Sequence, residues 1–212
     1  MVNSKIYCLI IRVLSFLGEA QAKNRMGYFY EEGVHVKQSY EEAADYYLQS
    51  AKWGIKEAQA NIGRLYQYGQ GVEQNFDQAR AWYEKAAENG HPWAQNSLAA
   101  LYSEGLGGKK DLVKALYWYE KAANEHMYVW AQQNLGWHYS QGIGVEQNHE
   151  TAVKWYEKAV GQGLSQAQYN LALMYLNGQG VNVDKNRAKS LLEKAYAGGV
   201  QQAKEILNSI GS

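Results

Sequence analysis

Five histidines, one cysteine and a recurring set of glutamates are the side chains here whose chemistry could turn over a substrate. His35, His91, His126, His138 and His149 could ligate a metal or carry protons. No two of them stand at i, i+4, and no H-E-x-x-H occurs, so the spacing that puts two imidazoles on one helix face is missing. His138 fills a place that Leu65, Leu101 and Met174 hold in other parts of a repeating pattern, which predicts a hydrogen-bonded, partly buried imidazole. Cys8 stands alone: it can form no internal disulfide, builds no Cys-based metal site and has no histidine partner in a recognisable arrangement. Glu84, Glu120 and Glu157 could supply an acid and a base if folding brought them together. Each lies inside the same Trp-Tyr-Glu-Lys-Ala string, however, so they read as a solvated helix face paired with nearby lysines. The Gly-x-Gly-Val segments lack the lysine and the strand context of a phosphate-binding loop, and no G-x-S-x-G is present. The sequence therefore predicts no enzyme, no metal and no cofactor.

The elements that carry these residues are copies of one unit. Ala22, Ala58, Ala94, Ala131, Ala167 and Ala203 keep a beat of 36 residues, lengthened by one between Ala94 and Ala131. Tyr30, Tyr66, Tyr102, Tyr139 and Tyr175 follow in phase, as do Gly33, Gly69, Gly105, Gly142 and Gly178. Ala43, Ala79, Ala115, Ala152 and Ala188 mark the second half of each copy. Within a copy, Ala58, Ile62, Leu65, Tyr66 and Gly69 form one apolar stripe of a first helix, helix A. Gly69-Gln70-Gly71-Val72 ends it, since glycine accepts the positive φ of a helix C-cap. Helix B opens on Ser39-Tyr40-Glu41-Glu42 or Asn75-Phe76-Asp77-Gln78, which have the spacing of capping boxes. It continues through Ala79, Trp82, Tyr83, Ala86 and Ala87 and stops at Gly90. Pro92 follows, where a first helical turn tolerates it. One such pair cannot bury its stripes alone and must stack on its neighbours. The predicted fold is all-α: an α/α solenoid of five repeats of about 36 residues with terminal capping helices and a right-handed superhelical tendency. The expected repeats are 22–57, 58–93, 94–130, 131–166 and 167–202, with a cap helix over 203–212, so that 19–212 form one repeat domain.

The pattern Ala-x-x-x-Leu/Ile-Gly/Ala-x-x-Tyr, then Gly-x-Gly-Val, then Ala-x-x-Trp-Tyr-x-Lys-Ala resembles the Sel1-like repeats, relatives of the tetratricopeptide repeats, over nearly the whole chain. The chain departs from it in four places. His35 replaces the second glycine of the first turn, and Gly107-Gly108 replaces Gly-Val in the third repeat. Leu191-Leu192 replaces Trp-Tyr in the fifth, and the turn from Asn124 to Trp130 has one extra residue and no glycine. That last departure predicts a local rotation of the stack.

Residues 1–18 have two readings. Lys5, the apolar run from Ile6 to Leu17 and Ala20-Gln21-Ala22 have the make-up of a signal peptide. Alternatively Gly18 stands four residues before Ala22, as Gly54 stands before Ala58, which makes the segment a degenerate helix B capping the stack. Arg12 inside the apolar run favours the cap. The run is too short to span a membrane. With 21 basic and 21 acidic residues, the chain has no electrostatic footprint for nucleic acid. One cysteine fits a reducing, cytoplasmic compartment somewhat better than export.

What remains is a surface. The stripe of helix A opposite the packed one runs through Glu57, Ala60, Arg64, Gln67 and Tyr68 in the second repeat. Tetratricopeptide-like relatives bind ligands on the corresponding concave stripe. The resemblance thus implies a protein or peptide partner held by Tyr28, Arg64, Tyr68, Trp93, Asn96, Trp130, Gln133, Trp137 and Tyr169. Trp93, Trp130, Trp137 and Tyr169 are large aromatics of the kind that anchor interfaces, although Trp93 and Trp130 beside the turns could equally plug gaps between repeats. The expected role is a non-catalytic scaffold or adaptor. Two alternatives are an inhibitor or immunity-type partner, and a secreted hydrolase or penicillin-binding protein. The latter belongs to cysteine-rich relatives, whose regularly spaced cysteines are missing from every unit here.

Overall fold

The computed structural model describes residues 4–16 and 18–210, and among them it contains helices and no strand. The helices are α1 (Ser4–Phe16), α2 (Ala20–Glu32), α3 (Tyr40–Lys52), α4 (Lys56–Tyr68), α5 (Phe76–Glu88), α6 (Pro92–Glu104), α7 (Leu112–Glu125), α8 (Val129–Gln141), α9 (His149–Gly161), α10 (Ser165–Asn177), α11 (Lys185–Ala197) and α12 (Gln202–Ile210). They fall into two compact units, one ending at Asp111 with α1–α6, the other beginning at Leu112 with α7–α12. Even-numbered helices from α2 to α10 are the helix A elements and their odd-numbered successors are helix B. The segment with two sequence readings forms α1, which packs on α2.

Side chains and backbone divide the work of starting and stopping these helices. Four B helices start on a side-chain cap: Ser39 accepts from the Glu42 amide at 3.2 Å, Asn75 from Gln78 at 2.9 Å, Asn148 from Thr151 at 2.8 Å, and Asp184 from Arg187 at 2.9 Å. Helix A ends on a left-handed glycine, as at Gly69 (φ 66°). The second glycine of that turn has a different reason. A Cβ on Gly71 would sit 2.1 Å from the Tyr40 carbonyl carbon, because the turn lies directly over the start of α3. The long turn after α7 takes up its extra residue partly in the helix, which is one residue longer than the other B helices, and partly in Met127, a non-glycine at φ 49°.

The core of each unit is built on a small-residue contact. Tyr47, Tyr83 and Tyr156 of helix B lie flat on Gly27, Gly63 and Gly136 of their own helix A, where a Cβ would meet the ring at 2.6, 2.8 and 2.5 Å. In the last repeat Leu192 stands in the tyrosine's place and Ala172 in the glycine's, while the third repeat keeps Tyr119 and has Ala99 at the glycine position. A second ladder joins successive pairs. Gln59, Gln95 and Gln132 are buried and donate to the carbonyls of Ala51, Ala87 and Ala123 near the ends of the preceding B helices.

The glutamates of the Trp-Tyr-Glu-Lys-Ala strings depart from the lysine pairing read from the sequence. Glu84 accepts from the Tyr102 hydroxyl at 2.8 Å and pairs with Arg80, Glu120 is hydrogen-bonded to Tyr139, and Glu157 pairs with Arg187 and meets Tyr175. They are cross-links to the phase-keeping tyrosine of the next helix A. The lysines stack instead on tryptophan, Lys85 over Trp82 at 4.2 Å and Lys158 over Trp155 at 4.0 Å.

Candidate binding surface

Flat packing of the helix B tyrosine has a consequence for the surface. Its ring spans helix A, so its hydroxyl emerges at a fixed place on the far side, beside the residue four positions after the glycine. In the first unit Tyr47 donates to Glu31 at 2.7 Å and Tyr83 donates to Gln67 at 2.8 Å. In the second, Tyr156 is hydrogen-bonded with Ser140 and Asn170. Burial comes first in raising all three phenols above their ordinary range, and Glu31 adds to the effect at Tyr47. In these three repeats the core tyrosine thus delivers one polar atom to a variable position.

What meets that atom differs between the units. Glu31 is also held by the Arg64 guanidinium, which donates its other arm to Gln70 at 2.9 Å. Carboxylate, phenol, guanidinium and amide satisfy one another there. The same register in the second unit holds Ser140, Leu173 and Gln179, which are neutral and, at the first two positions, short. A recess of about 240 Å³ opens there, lined by Trp137, Ser140, Gln141, His149, Tyr156, Asn170, Leu173, Met174 and Gln179. Asn170 donates to Gln133 at 3.2 Å across the pair, as Asn61 donates to Asn24 at 3.4 Å in the first unit.

The residues expected at a binding surface therefore take different places. Trp137 (44% exposed) borders the recess, with its ring edge-on to buried His138, whose Nδ1 lies 2.9 Å from the Ile143 carbonyl oxygen. Gln133 is 9% exposed and reaches the recess only through Asn170. Trp130 is 49% exposed and stands outside the recess, and Tyr169 packs on the core of the second unit. In the first unit Tyr28 and Tyr68 are exposed, Asn96 is half-buried, and Arg64 is bound to Glu31. Trp93 is half-buried, edge-on to Tyr83 at 5.6 Å and to His91 at 6.1 Å, in the position of a plug. Ala60 corrects the sequence reading: assigned to the free stripe, it is fully buried, because helix A packs both on its own helix B and on the helix B before it.

Sequence reasoning also missed His149, Tyr156, Met174, Gln179 and Asn170 as recess residues. His149 alone left a trace, as an imidazole where Tyr40, Phe76 and Leu112 stand in the three preceding copies and Lys185 in the last. His91 proves to be a helix cap, its Nδ1 accepting from the Ala94 amide at 3.2 Å. Among the described residues no cluster of His, Cys, Asp and Glu could hold a metal, and no helix is long and apolar enough to cross a membrane.

The Sel1 repeat model matches residues 20–52, 56–91, 94–126, 131–164 and 165–200. No curated protein sequence matches. Among solved structures, a protective antigen present in uropathogenic Escherichia coli strains, displaying an SLR fold, is 34% identical with a TM-score of 0.88. The match covers 94% of this chain but 43% of the antigen, so the chain spans less than half of that protein's length. A Sel1 repeat protein from Oxalobacter formigenes is 33% identical with a TM-score of 0.88, over 95% of this chain and 82% of that one. An immunity protein from Pseudomonas aeruginosa, 20% identical over 87% of this chain and 68% of its own with a TM-score of 0.56, shares the fold. Five matched repeats and relatives a third identical over nearly the full length place this chain in the Sel1 repeat family.

Proposed function

We propose that this chain is a non-catalytic adaptor that holds a peptide or a segment of a partner protein on the stripe of its A helices opposite the packed one, with its principal anchor at Trp137. Sel1 repeat proteins act in general as protein-interaction scaffolds. The observation that carries the reading here is the second unit's surface. Trp137 and Trp130 are about half exposed at positions the core does not use, and Trp137 stands beside amide and hydroxyl groups. Large half-exposed aromatics flanked by neutral polar groups are the composition of binding hot spots. The corresponding stripe of the first unit carries Tyr28, Tyr68 and Asn96. Trp93 and Tyr169 serve the surface by packing beneath it.

The test compares the intact chain with a Trp130→Ala, Trp137→Ala double variant. The pair is chosen over Tyr169 because neither ring is required by the core. The wild-type chain is expected to capture a specific partner, identified by mass spectrometry and remeasured by calorimetry with the purified protein. The double variant should bind it at least about thirtyfold more weakly with unchanged helicity and Tm. Undiminished binding by the double variant rejects the surface.

A further inference from the structure

Resting on the adaptor reading, the geometry points to the second-unit recess as a seat for one apolar side chain of an uncharged peptide segment, whose main-chain amides bond to the rim. Three observations converge on that occupant. First, no carboxylate, lysine or arginine lines the recess, whereas the matching place in the first unit is filled by the Glu31–Arg64 pair. A bound charge would lose its hydration there and meet no counter-charge. Second, about 240 Å³ falls below the roughly 300–1,000 Å³ of small-molecule and cofactor sites, and is of the size that one side chain fills. Third, the lining is divided. Trp137, Leu173 and Met174 give apolar walls, while Gln179 brings a side-chain amide that both donates and accepts, beside Gln141 and Asn170, which are held by Ser140 and by Gln133 and Gln166.

The backbone fixes the position of one of those amides. Gly180 lies against the start of α9, where a Cβ would stand 2.4 Å from the His149 carbonyl carbon, and this approach holds Gln179 at the rim. His149 itself carries a buried Nδ1 with no hydrogen-bond partner.

The probe is a set of end-blocked pentapeptides, acetyl-Ser-Asn-Xaa-Asn-Ser-amide, with Leu, Met, Asp or Lys at the centre. Binding is followed by NMR on the indole N–H signals of the intact chain, with the Trp137 signal assigned through Trp137→Phe. The Leu and Met peptides should shift that signal saturably, and the Asp and Lys peptides should bind at least about tenfold more weakly. Ser140→Glu with Leu173→Arg, which rebuilds the first unit's ion pair inside the seat, should abolish the shift. Leu173→Trp, which fills the seat without adding charge, should do the same and covers the case in which the charged pair fails to fold. Equal or tighter binding of a charged peptide overturns the proposal, as does a Trp137 signal unmoved by every peptide, or binding that survives in a folded Leu173→Trp variant. The two readings fail separately. If the peptides do not bind but the Trp130, Trp137 double variant still loses its partner, the adaptor stands and this seat falls. If the Leu peptide binds while the double variant captures its partner normally, the seat stands and the adaptor surface lies elsewhere.

Discussion

In the first unit the Tyr47 hydroxyl meets a carboxylate already claimed by an arginine; in the second, the Tyr156 hydroxyl meets a serine and an asparagine beside open space. The scaffolds agree closely. Gly27 and Gly136 lie under the two rings, and the Asn61–Asn24 and Asn170–Gln133 bonds cross at the same register. Glu31 against Ser140 and Arg64 against Leu173 exchange a self-satisfying ion pair for neutral side chains, and Glu32 against Gln141, Tyr28 against Trp137 and Tyr40 against His149 are further differences at the rim. A repeat protein can thus vary its binding surface without disturbing its core, because the constant tyrosine supplies the same polar atom whatever stands opposite.

The most direct way to break the contrast is to open the first unit. Glu31→Ser with Arg64→Leu removes both charges together and leaves Tyr47 facing a serine, as Tyr156 does. The double variant should gain a second seat for the Leu-centred peptide, so that calorimetry reads two sites per chain in place of one. Arg64→Leu alone leaves Glu31 with the Tyr47 hydroxyl as its remaining partner and should cost about 1–3 kcal/mol in urea unfolding. A stoichiometry still at one in a folded double variant would show that something other than the ion pair closes the first unit.

The shared scaffold can be tested next. Gly136→Ala forces the Tyr156 ring off helix A, which should cost about 1–3 kcal/mol and also weaken peptide binding, because the hydroxyl beneath the seat moves with the ring. Gly63→Ala makes the same intrusion under Tyr83 and should cost a similar amount of stability while leaving peptide binding unchanged. If both variants weaken binding equally, the seat depends on global stability and not on its own tyrosine.

Much of this scaffold was legible in the sequence and part of it was not, for physical reasons. Ser39, Asn75 and the glycines after each helix A announce themselves, because caps and positive φ are local requirements that one residue type meets best. The Glu84–Tyr102 cross-link was hidden: both residues keep the repeat's phase, but phase does not say that a carboxylate reaches forward into the next unit instead of along its own helix. The buried face of Ala60 was hidden likewise, since a helix packed on two sides shows no single stripe. The recess was the least legible feature. Its lining comes from two successive repeats, so Ser140 and Leu173 acquire meaning only when set against each other in space.

Alkaline pH should separate the two tyrosines more gently. Both phenols are raised by burial, so the folded state favours the protonated form. The stability this contributes is fully present below the unfolded pKa of about 10 and is lost as pH rises above it, by at most about 1.4 kcal/mol per pH unit for each group. Glu31 raises Tyr47 further, whereas the Ser140 and Asn170 hydrogen bonds draw Tyr156 back down. Tyr47→Phe should therefore flatten the fall in stability at alkaline pH more than Tyr156→Phe does, with the gap opening as pH rises. The reverse order would mean that Arg64, and not Glu31, dominates at Tyr47.

The smallest expected effect lies in a turn peculiar to the second unit. The first unit turns from helix B to helix A on Gly54 and Gly90, at φ 84° and 72°, while the second unit uses Met127 at φ 49° after α7. A left-handed residue with a Cβ costs about 1–2 kcal/mol, and glycine gives back about 0.5–1 kcal/mol through the freedom of its unfolded chain. Met127 is largely exposed, so its side chain contributes little packing, and its carbonyl keeps the bond from Gln162 whatever the side chain. Met127→Gly should then stabilise by about 0.5–1 kcal/mol and raise Tm by about 1–4 °C. Gly90→Met, the reverse exchange in the first unit, should lower Tm by a similar amount. An unchanged Tm for Met127→Gly would mean that the extra residue in this turn already relieves the strain, and that the two units differ there in length alone.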